Sequence, residues 1–178
     1  MAIADNDTSI RQGSMKPLGT LFVLAESPHI RTEALHFATS EREQVLDLTD
    51  YMRDVVERSR VWHGQATAYT LHTTTTLAIS ESETGFLNDL RGRLDLLIPK
   101  TVEPGEYYEH DDLSVRSENL QEDELKNGHS HVRQMFVGNT SVTIPVVDGK
   151  ILLGCWQRLL FLELDQGRDR RVILHAQG

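Results

Sequence analysis

Cysteine is nearly absent from this sequence: Cys155 is the single thiol among 178 residues. One thiol excludes an intramolecular disulfide and a cysteine zinc site, and it favours a reducing compartment. No apolar run is long enough to span a bilayer, and the N-terminus lacks the apolar core of a secretory signal. We therefore predict a cytoplasmic protein without a membrane partner.

Positive charge is also scarce. The chain has 18 Lys and Arg residues against 27 Asp and Glu residues, which gives a net charge of −9. This balance disfavours nucleic acids and anionic membranes as partners, although a few arginines could still form a local pocket for a small anionic substrate. Phosphate-binding and dinucleotide-binding glycine motifs and a His-Glu-x-x-His motif are absent, which disfavours those enzyme classes.

The length and the ordinary apolar content, 39%, fit one globular domain. Residues 1–17 are polar with mixed charge and predict a flexible N-terminal segment, although an arm packed on a partner subunit would have the same composition. Residues 18–178 would then form a single domain.

Hydrophobic periodicity predicts both strands and helices in this domain. Strands are expected at residues 21–24, 33–39, 65–71, 77–79, 141–147, 151–153, 156–163 and 171–175. Helices are expected at residues 49–58, over the apolar stripe Phe86, Leu87, Leu90, Leu94 and Leu97, and at residues 127–136. Asp148-Gly149 between two apolar strands predicts a tight hairpin. Clustered strands with two or three helices indicate an α+β fold.

Three separated histidine segments are the main candidates for chemistry. His72 precedes four threonines, His110 precedes two aspartates, and His129 and His131 follow Asn127. Imidazole is both the commonest metal ligand and the commonest acid or base at neutral pH, although surface histidines also cluster by chance. If residues 127–136 are helical, His129 and His131 point about 200° apart, so one of them faces a site; spacing does not choose which.

Other polar residues allow two interpretations each. Glu81 and Asp89 are either solvated carboxylates or an acid/base pair. Arg168 and Arg170 are either part of a solvated ion-pair face or a phosphate-binding pair. The threonines after His72 are either β-branched strand residues or hydroxyl donors. For Asp111, beside His110, we favour an exposed acidic loop over a role in orienting the histidine ring.

Taken together, these motifs resemble those of the YjbQ family, also called UPF0047, whose members are often named secondary thiamine-phosphate synthase enzymes. The resemblance runs in family order from about Leu18 to the end of the chain. It is carried by His72-Thr73-Thr74, Ile79-Ser80-Glu81, Asp89-Leu90, Tyr108-Glu109-His110, residues 127–131, Ser141 with Ile144-Pro145-Val146, Gly149-Lys150-Ile151, Gly154-Cys155-Trp156-Gln157 and residues 163–170.

The resemblance implies a large, mostly antiparallel sheet packed as a sandwich, a homotrimer, and zinc or another divalent metal. The implied metal ligands are His72, His110 and His131, a set that leaves a coordination position open for water or substrate. The implied acid/base residues are Glu81 or Asp89. The implied substrate-binding residues are Thr74, Thr76, Ser141, Gln157, Arg168 and Arg170.

Three functions follow as hypotheses. The first is a metal-associated enzyme with low thiamine-phosphate synthase activity, in which the substrate anions need charge stabilisation. The second is a zinc-dependent hydrolase of a small phosphorylated or amide substrate. The third is a trimeric metal- or metabolite-binding protein without turnover.

The homotrimer is testable without knowledge of the substrate. We expect the purified protein to have a mass near three times 20.2 kDa by light scattering. A monomer at micromolar concentration would contradict the trimer implied by the resemblance.

Overall fold

A computed structural model of the chain describes residues 18–101, 103, 105–122 and 125–178. The predicted N-terminal segment, residues 1–17, lies outside these described residues. The elements are β1 (Gly19–Ser27), β2 (Ile30–Ala38), β3 (Val45–Asp47), α1 (Thr49–Ser59), β4 (Gly64–Thr70), β5 (Thr75–Ser80), α2 (Thr84–Leu97), a 3₁₀ turn (Glu109–Asp111), α3 (Gly128–Val137), β6 (Ser141–Val147), β7 (Lys150–Ile151), β8 (Arg158–Glu163) and β9 (Asp169–Gln177).

Two antiparallel sheets form the frame. The larger has six strands in the order β1-β2-β9-β4-β6-β7, and the smaller has three in the order β3-β8-β5. Every strand pair is antiparallel. With the three α-helices of the described residues, this architecture confirms the predicted α+β fold with a large antiparallel sheet. No helix in the described residues is long and apolar enough to cross a membrane.

The main core lies between the inner face of the six-stranded sheet and a layer made of α1 and the three-stranded sheet. Phe37 of β2 meets Phe161 of β8 edge to face, with ring centroids 4.9 Å apart. The apolar stripe of α1 contributes Met52, Val55 and Val56, which are all buried. Burial of this kind, at roughly 25 cal/mol per Å² of apolar area, is the main source of stability.

Strand β8 is buried on both faces, which explains its continuous apolar sequence. Leu159 and Phe161 face the main core, while Leu160 and Leu162 face a second cluster with Leu94 of α2. A strand in the middle of a layered protein needs apolar side chains on both sides, so period-2 alternation is lost. The short strand β3, which pairs with β8, was not predicted.

The predicted apolar stripe does lie on one helix, α2, but most of its residues are not fully buried in the core. Leu94 is the one buried residue of α2, and Leu97 is 68% exposed. On α3, Met135 and Phe136 are 81% and 74% exposed. Large apolar side chains on neighbouring surface helices are typical of an interface with another molecule.

The Asp148-Gly149 hairpin is confirmed. Val147 pairs with Lys150 across it, and both turn residues have positive φ angles, 51° and 73°. Positive φ at both central positions is the requirement of a type I′ turn, which matches the twist of the flanking strands.

Arg133 of α3 ties the helical layer together and was not anticipated. Its side chain is fully buried, its Nε donates to the Ile98 carbonyl at 2.8 Å, and its two other nitrogens contact Glu43 and Asp95. The guanidinium holds the pKa of Asp95 below its usual range, chiefly through this hydrogen bond.

Removing Arg133 should therefore be costly. We expect Arg133→Met to lower the free energy of unfolding by about 3 kcal/mol, because Glu43 loses its hydrogen-bond partner in a largely buried position and keeps only the longer contact of 3.7 Å with Arg42. The matched control is Arg53→Met, which removes an exposed pair with Asp50 at 2.7 Å and should cost less than about 1 kcal/mol. Urea denaturation of both variants checks this; equal losses would contradict the structural role of Arg133.

Candidate functional site

One cavity of about 810 Å³ collects residues from four separate parts of the chain. These parts are the β4–β5 connection, the long loop after α2, the start of α3, and the start of β9. We call it the histidine cavity. It is lined by Leu71, His72, Thr73, Thr74, Glu109, His110, Val115, Arg116, Ser117, Glu118, Asn119, Gln121, Leu125, Asn127, His131, Arg168 and Arg170.

His110 and His131 lie side by side, with ring centroids 4.5 Å apart. A close approach at Gly128 makes this possible, because a Cβ there would lie 2.6 Å from the Tyr108 Cβ and 3.1 Å from the His110 Cβ. Burial and then the neighbouring His110 ring lower the pKa of His131, which favours its neutral form.

Asp111 fixes this arrangement. Its Oδ1 accepts from the Gly128 amide at 2.8 Å and lies 3.2 Å from His110 Nδ1. The carboxylate thus satisfies the first turn of α3 and orients a histidine at the same time. Our expectation that Asp111 belongs to an exposed acidic loop was wrong, because this side chain is only 21% exposed and joins the loop to the helix through the Gly128 amide.

His129 turns away from the cavity, as the helical phase required of one of the two histidines. Its ring is buried beside Tyr108, and its Nε2 lies 3.1 Å from the Ser130 hydroxyl. Burial, reinforced by Arg133, lowers the pKa of His129 to about 4. The structure therefore places His131, rather than His129, on the cavity wall.

His72 also lines the cavity, but one of its nitrogens is in use. Its Nε2 accepts from the backbone amide of Arg171 at 2.9 Å. Burial lowers the pKa of His72, and the positive charge of Arg170 lowers it further.

A closed three-histidine zinc site does not fit this arrangement. Among the residues that the structure describes, no group of three or more His, Cys, Asp or Glu side chains is placed to hold a metal ion. His110 and His131 adjoin each other, whereas His72 is held on β9 by the Arg171 amide.

Arg170 of the cavity wall forms a buried ion pair with Glu163. Arg170 donates through Nε to Oε2 at 2.6 Å and through a second nitrogen to Oε1 at 2.5 Å. The same guanidinium reaches the Thr74 hydroxyl at 3.3 Å, and Thr39 donates to Oε2 at 2.8 Å. The predicted phosphate-binding fork of Arg170 is therefore largely occupied by Glu163.

Asp165 holds a second set of contacts. Its Oδ2 accepts from Arg168 at 2.7 Å and from Asn127 Nδ2 at 3.0 Å. Asn127 in turn accepts the Ser130 amide at the start of α3. This series of hydrogen bonds links Arg168 on one wall of the cavity to the helix that carries His131 on another.

Five predicted site residues lie outside the cavity lining. Thr76 is buried and donates to the Asn139 carbonyl at 3.1 Å, so its hydroxyl fastens β5 to the segment before β6. Ser141 is exposed at the start of β6, and Gln157 accepts the Gly154 amide in an exposed turn. Glu81 and Asp89 are exposed. Within one chain, then, neither carboxylate is brought to the histidines.

The sequence did not single out the residues that support the cavity. For the charged cluster of residues 163–171 it left open a solvated ion-pair face or a phosphate-binding arginine pair, and it indicated no supporting role for Glu163, Asp165 or Asn127. The available signal was position: Glu163 directly follows four apolar residues of its strand, Leu159 to Leu162, so a buried carboxylate there needs a buried partner.

Known proteins are similar to this chain in sequence and in fold. The profile of the UPF0047 protein YjbQ-like family matches residues 33–178. A UPF0047 protein of Archaeoglobus fulgidus is 40% identical over 142 residues, which are 80% of this chain and 98% of that protein. A YbjQ-like protein of unknown function from Sulfolobus solfataricus superposes with a TM-score of 0.70 at 23% identity, covering 84% of this chain and 97% of that one. A hypothetical protein from Aeropyrum pernix K1 gives a TM-score of 0.65 at 31% identity, covering 80% and 95%.

The two arginines of the cavity should respond differently to the same change. Arg170→Lys replaces a two-point contact in a buried site, so we expect a loss of about 2–3 kcal/mol of stability. Arg168→Lys should lower the stability by less than about 1 kcal/mol, because the Arg168 side chain is 32% exposed. Chemical denaturation measures both, and equal stabilities would show that the Glu163–Arg170 contact is unimportant.

Proposed function

The chain belongs to the UPF0047 family of YjbQ-like proteins, and from that premise we propose that it is an enzyme performing general acid–base chemistry on a small anionic substrate in the histidine cavity. The observation that carries this proposal is convergence: His72, Thr74, His110, His131, Arg168 and Arg170 come from distant segments and line one cavity. A volume of about 810 Å³ suits a metabolite-sized ligand.

His110 is the proposed general base. A carboxylate can only accept, so the contact with Asp111 puts the proton of the neutral His110 ring on Nδ1 and leaves the lone pair on Nε2. An oriented imidazole of this kind is the base found in many acyl- and proton-transfer enzymes. Asp111 is itself fixed by the Gly128 amide, so the orientation does not depend on a mobile partner.

The substrate anion would be held mainly by hydrogen bonds. Asp165 and Glu163 already offset the charges of Arg168 and Arg170, so the arginines add little net positive potential. The hydroxyls of Thr73 and Thr74 and the partly exposed guanidinium of Arg168 remain as donors. This balance supports a modest affinity for phosphate, in keeping with the net charge of −9.

Thiamine-phosphate synthesis is the specific reaction that the family resemblance suggests. In that transfer the thiazole nitrogen bonds to the pyrimidine methylene carbon as the carbon–oxygen bond to pyrophosphate breaks. The residues above could stabilise the departing pyrophosphate. Zinc-assisted hydrolysis is the second candidate, supported by the adjacent rings of His110 and His131, and zinc or another divalent metal enters the proposal only at that pair.

A homotrimer is part of the proposal. Its support is the exposed apolar surface of α2 and α3, where Leu96 and Met135 are 70% and 81% exposed. Association there would decide whether Glu81 or Asp89 of one chain reaches the cavity of another. The exposed thiol of Cys155 supports a reducing, cytoplasmic location.

The test is turnover by the purified protein. Phosphate and pyrophosphate release would be followed over a panel of small phosphorylated metabolites, including the thiazole and pyrimidine pair, with and without chelator. We expect His110→Gln to lower kcat by roughly 10²–10⁴, because glutamine cannot accept the proton. His63→Gln, at a largely exposed position outside the cavity, is the matched control and should retain full activity.

Three results would each count against one part of this proposal. Absence of turnover on every substrate, with tight metabolite binding retained, would favour the non-catalytic binding protein. Equal activity in wild type and His110→Gln would remove His110 as the base. Failure to complement a thiamine auxotroph, with turnover of another substrate, would reject the thiamine reaction alone.

A further inference from the structure

His72 occupies a position where strand pairing stops. The β4–β9 ladder ends with Thr70 opposite Val172, and Arg171 is the residue of β9 immediately before Val172. The Arg171 amide donates to His72 Nε2 at 2.9 Å. The side chain of His72 thus takes over from β4 as the hydrogen-bond acceptor at the edge of the cavity, and this fixes the direction of the ring.

This contact determines which nitrogen carries the proton. An amide N–H is a donor only, so Nε2 must present its lone pair, and a ring with a free lone pair at Nε2 carries its hydrogen on Nδ1. No hydrogen bond to Nδ1 is found in the part of the chain that the structure describes. Because the ring lines the cavity, Nδ1–H is the polar group that His72 has left for a ligand.

We infer that His72 is a hydrogen-bond donor to an oxygen of the bound anion, acting through Nδ1–H, and that it is not a metal ligand. Its role as anion donor rests on the proposed function, whereas its exclusion as a ligand rests on geometry alone. Phosphate and carboxylate oxygens are the acceptors that such a donor would recognise.

Metal binding by either nitrogen conflicts with the Arg171 contact. A metal at Nε2 would displace the amide from its acceptor. A metal at Nδ1 would require the hydrogen on Nε2, where it would face the hydrogen of the Arg171 amide. In both cases a backbone donor at the end of the sheet loses its partner, which is unfavourable.

The surroundings suit a neutral donor. The Arg170 guanidinium is bound to Glu163 and reaches Thr74, two residues from His72. A second positive charge on His72 would be repelled by Arg170, whereas a neutral Nδ1–H adds a donor without adding charge. A neutral imidazole that polarises a substrate oxygen is an established catalytic device.

The primary test is the tautomer of His72 in the full-length, metal-free protein. Long-range proton–nitrogen NMR at pH 7.5 should show Nδ1 protonated and Nε2 unprotonated, with His72 assigned by its absence in His72→Gln. A protonated Nε2 would overturn the inference. Added zinc should leave both nitrogen shifts unchanged, and a zinc-dependent change at either nitrogen would overturn it as well.

Two replacements separate the donor from the backbone contact. The amide of asparagine can supply a donor near the Nδ1 position, whereas the carbonyl of glutamine can accept from Arg171 near the Nε2 position. With inorganic phosphate as the probe, we expect calorimetry to give an affinity within threefold of wild type for His72→Asn and about tenfold weaker for His72→Gln. Equal affinities in both variants and wild type, or a weaker affinity in His72→Asn alone, would overturn the donor role.

These measurements are independent of turnover. If His110→Gln keeps full activity while His72 shows the Nδ1–H tautomer, the proposed base is wrong and the inference on His72 stands. If His110→Gln loses activity while zinc shifts the nitrogens of His72, the proposed enzyme stands and His72 is a metal ligand.

Discussion

The buried pair of Glu163 and Arg170 is the contact on which the site depends. Glu163 ends β8 in the smaller sheet and Arg170 begins the inner face of β9 in the larger one, so their bond joins the two sheets where the cavity opens. Thr39 and Thr74 complete the coordination of the two charges from two further segments. Such a pair is tolerable in the interior because its hydrogen-bonding groups find partners, and removal of either member would leave an uncompensated charge.

The rest of the cavity is built outward from this junction. Asp165, two residues further on, holds Arg168 and Asn127, and Asn127 sits at the start of the helix that carries His131. Leu164, between the two carboxylates, accepts from the Ser130 hydroxyl through its carbonyl and donates its amide to the Thr74 carbonyl. Three consecutive residues therefore set the positions of the histidine helix and of the β4–β5 connection relative to β9.

This construction changes the interpretation of the charged residues. Arginines beside a cavity suggest anion binding. Here, however, Arg168 and Arg170 mainly form ion pairs within the protein, with Asp165 and Glu163. The groups that we propose for ligand binding are imidazoles, hydroxyls and the partly exposed guanidinium of Arg168. A site of this kind binds through directed hydrogen bonds, which give selectivity for geometry more than long-range attraction.

The sequence by itself determined the family and most of the secondary structure, because local periodicity and turn chemistry reflect backbone geometry directly. The α1 stripe, the Asp148-Gly149 hairpin and the apolar β8 all formed as predicted, whereas β3 was not predicted. The sequence also identified six side chains that line the cavity. The tertiary structure placed His131 on the cavity wall, as the family resemblance had implied and spacing could not decide. Only the tertiary structure showed that Leu94 alone of the α2 stripe is fully buried, and that Asp111, Glu163 and Asp165 support the site. Those facts depend on strand register and on partners far apart in sequence, such as His72 and Arg171, whose proximity no local pattern encodes.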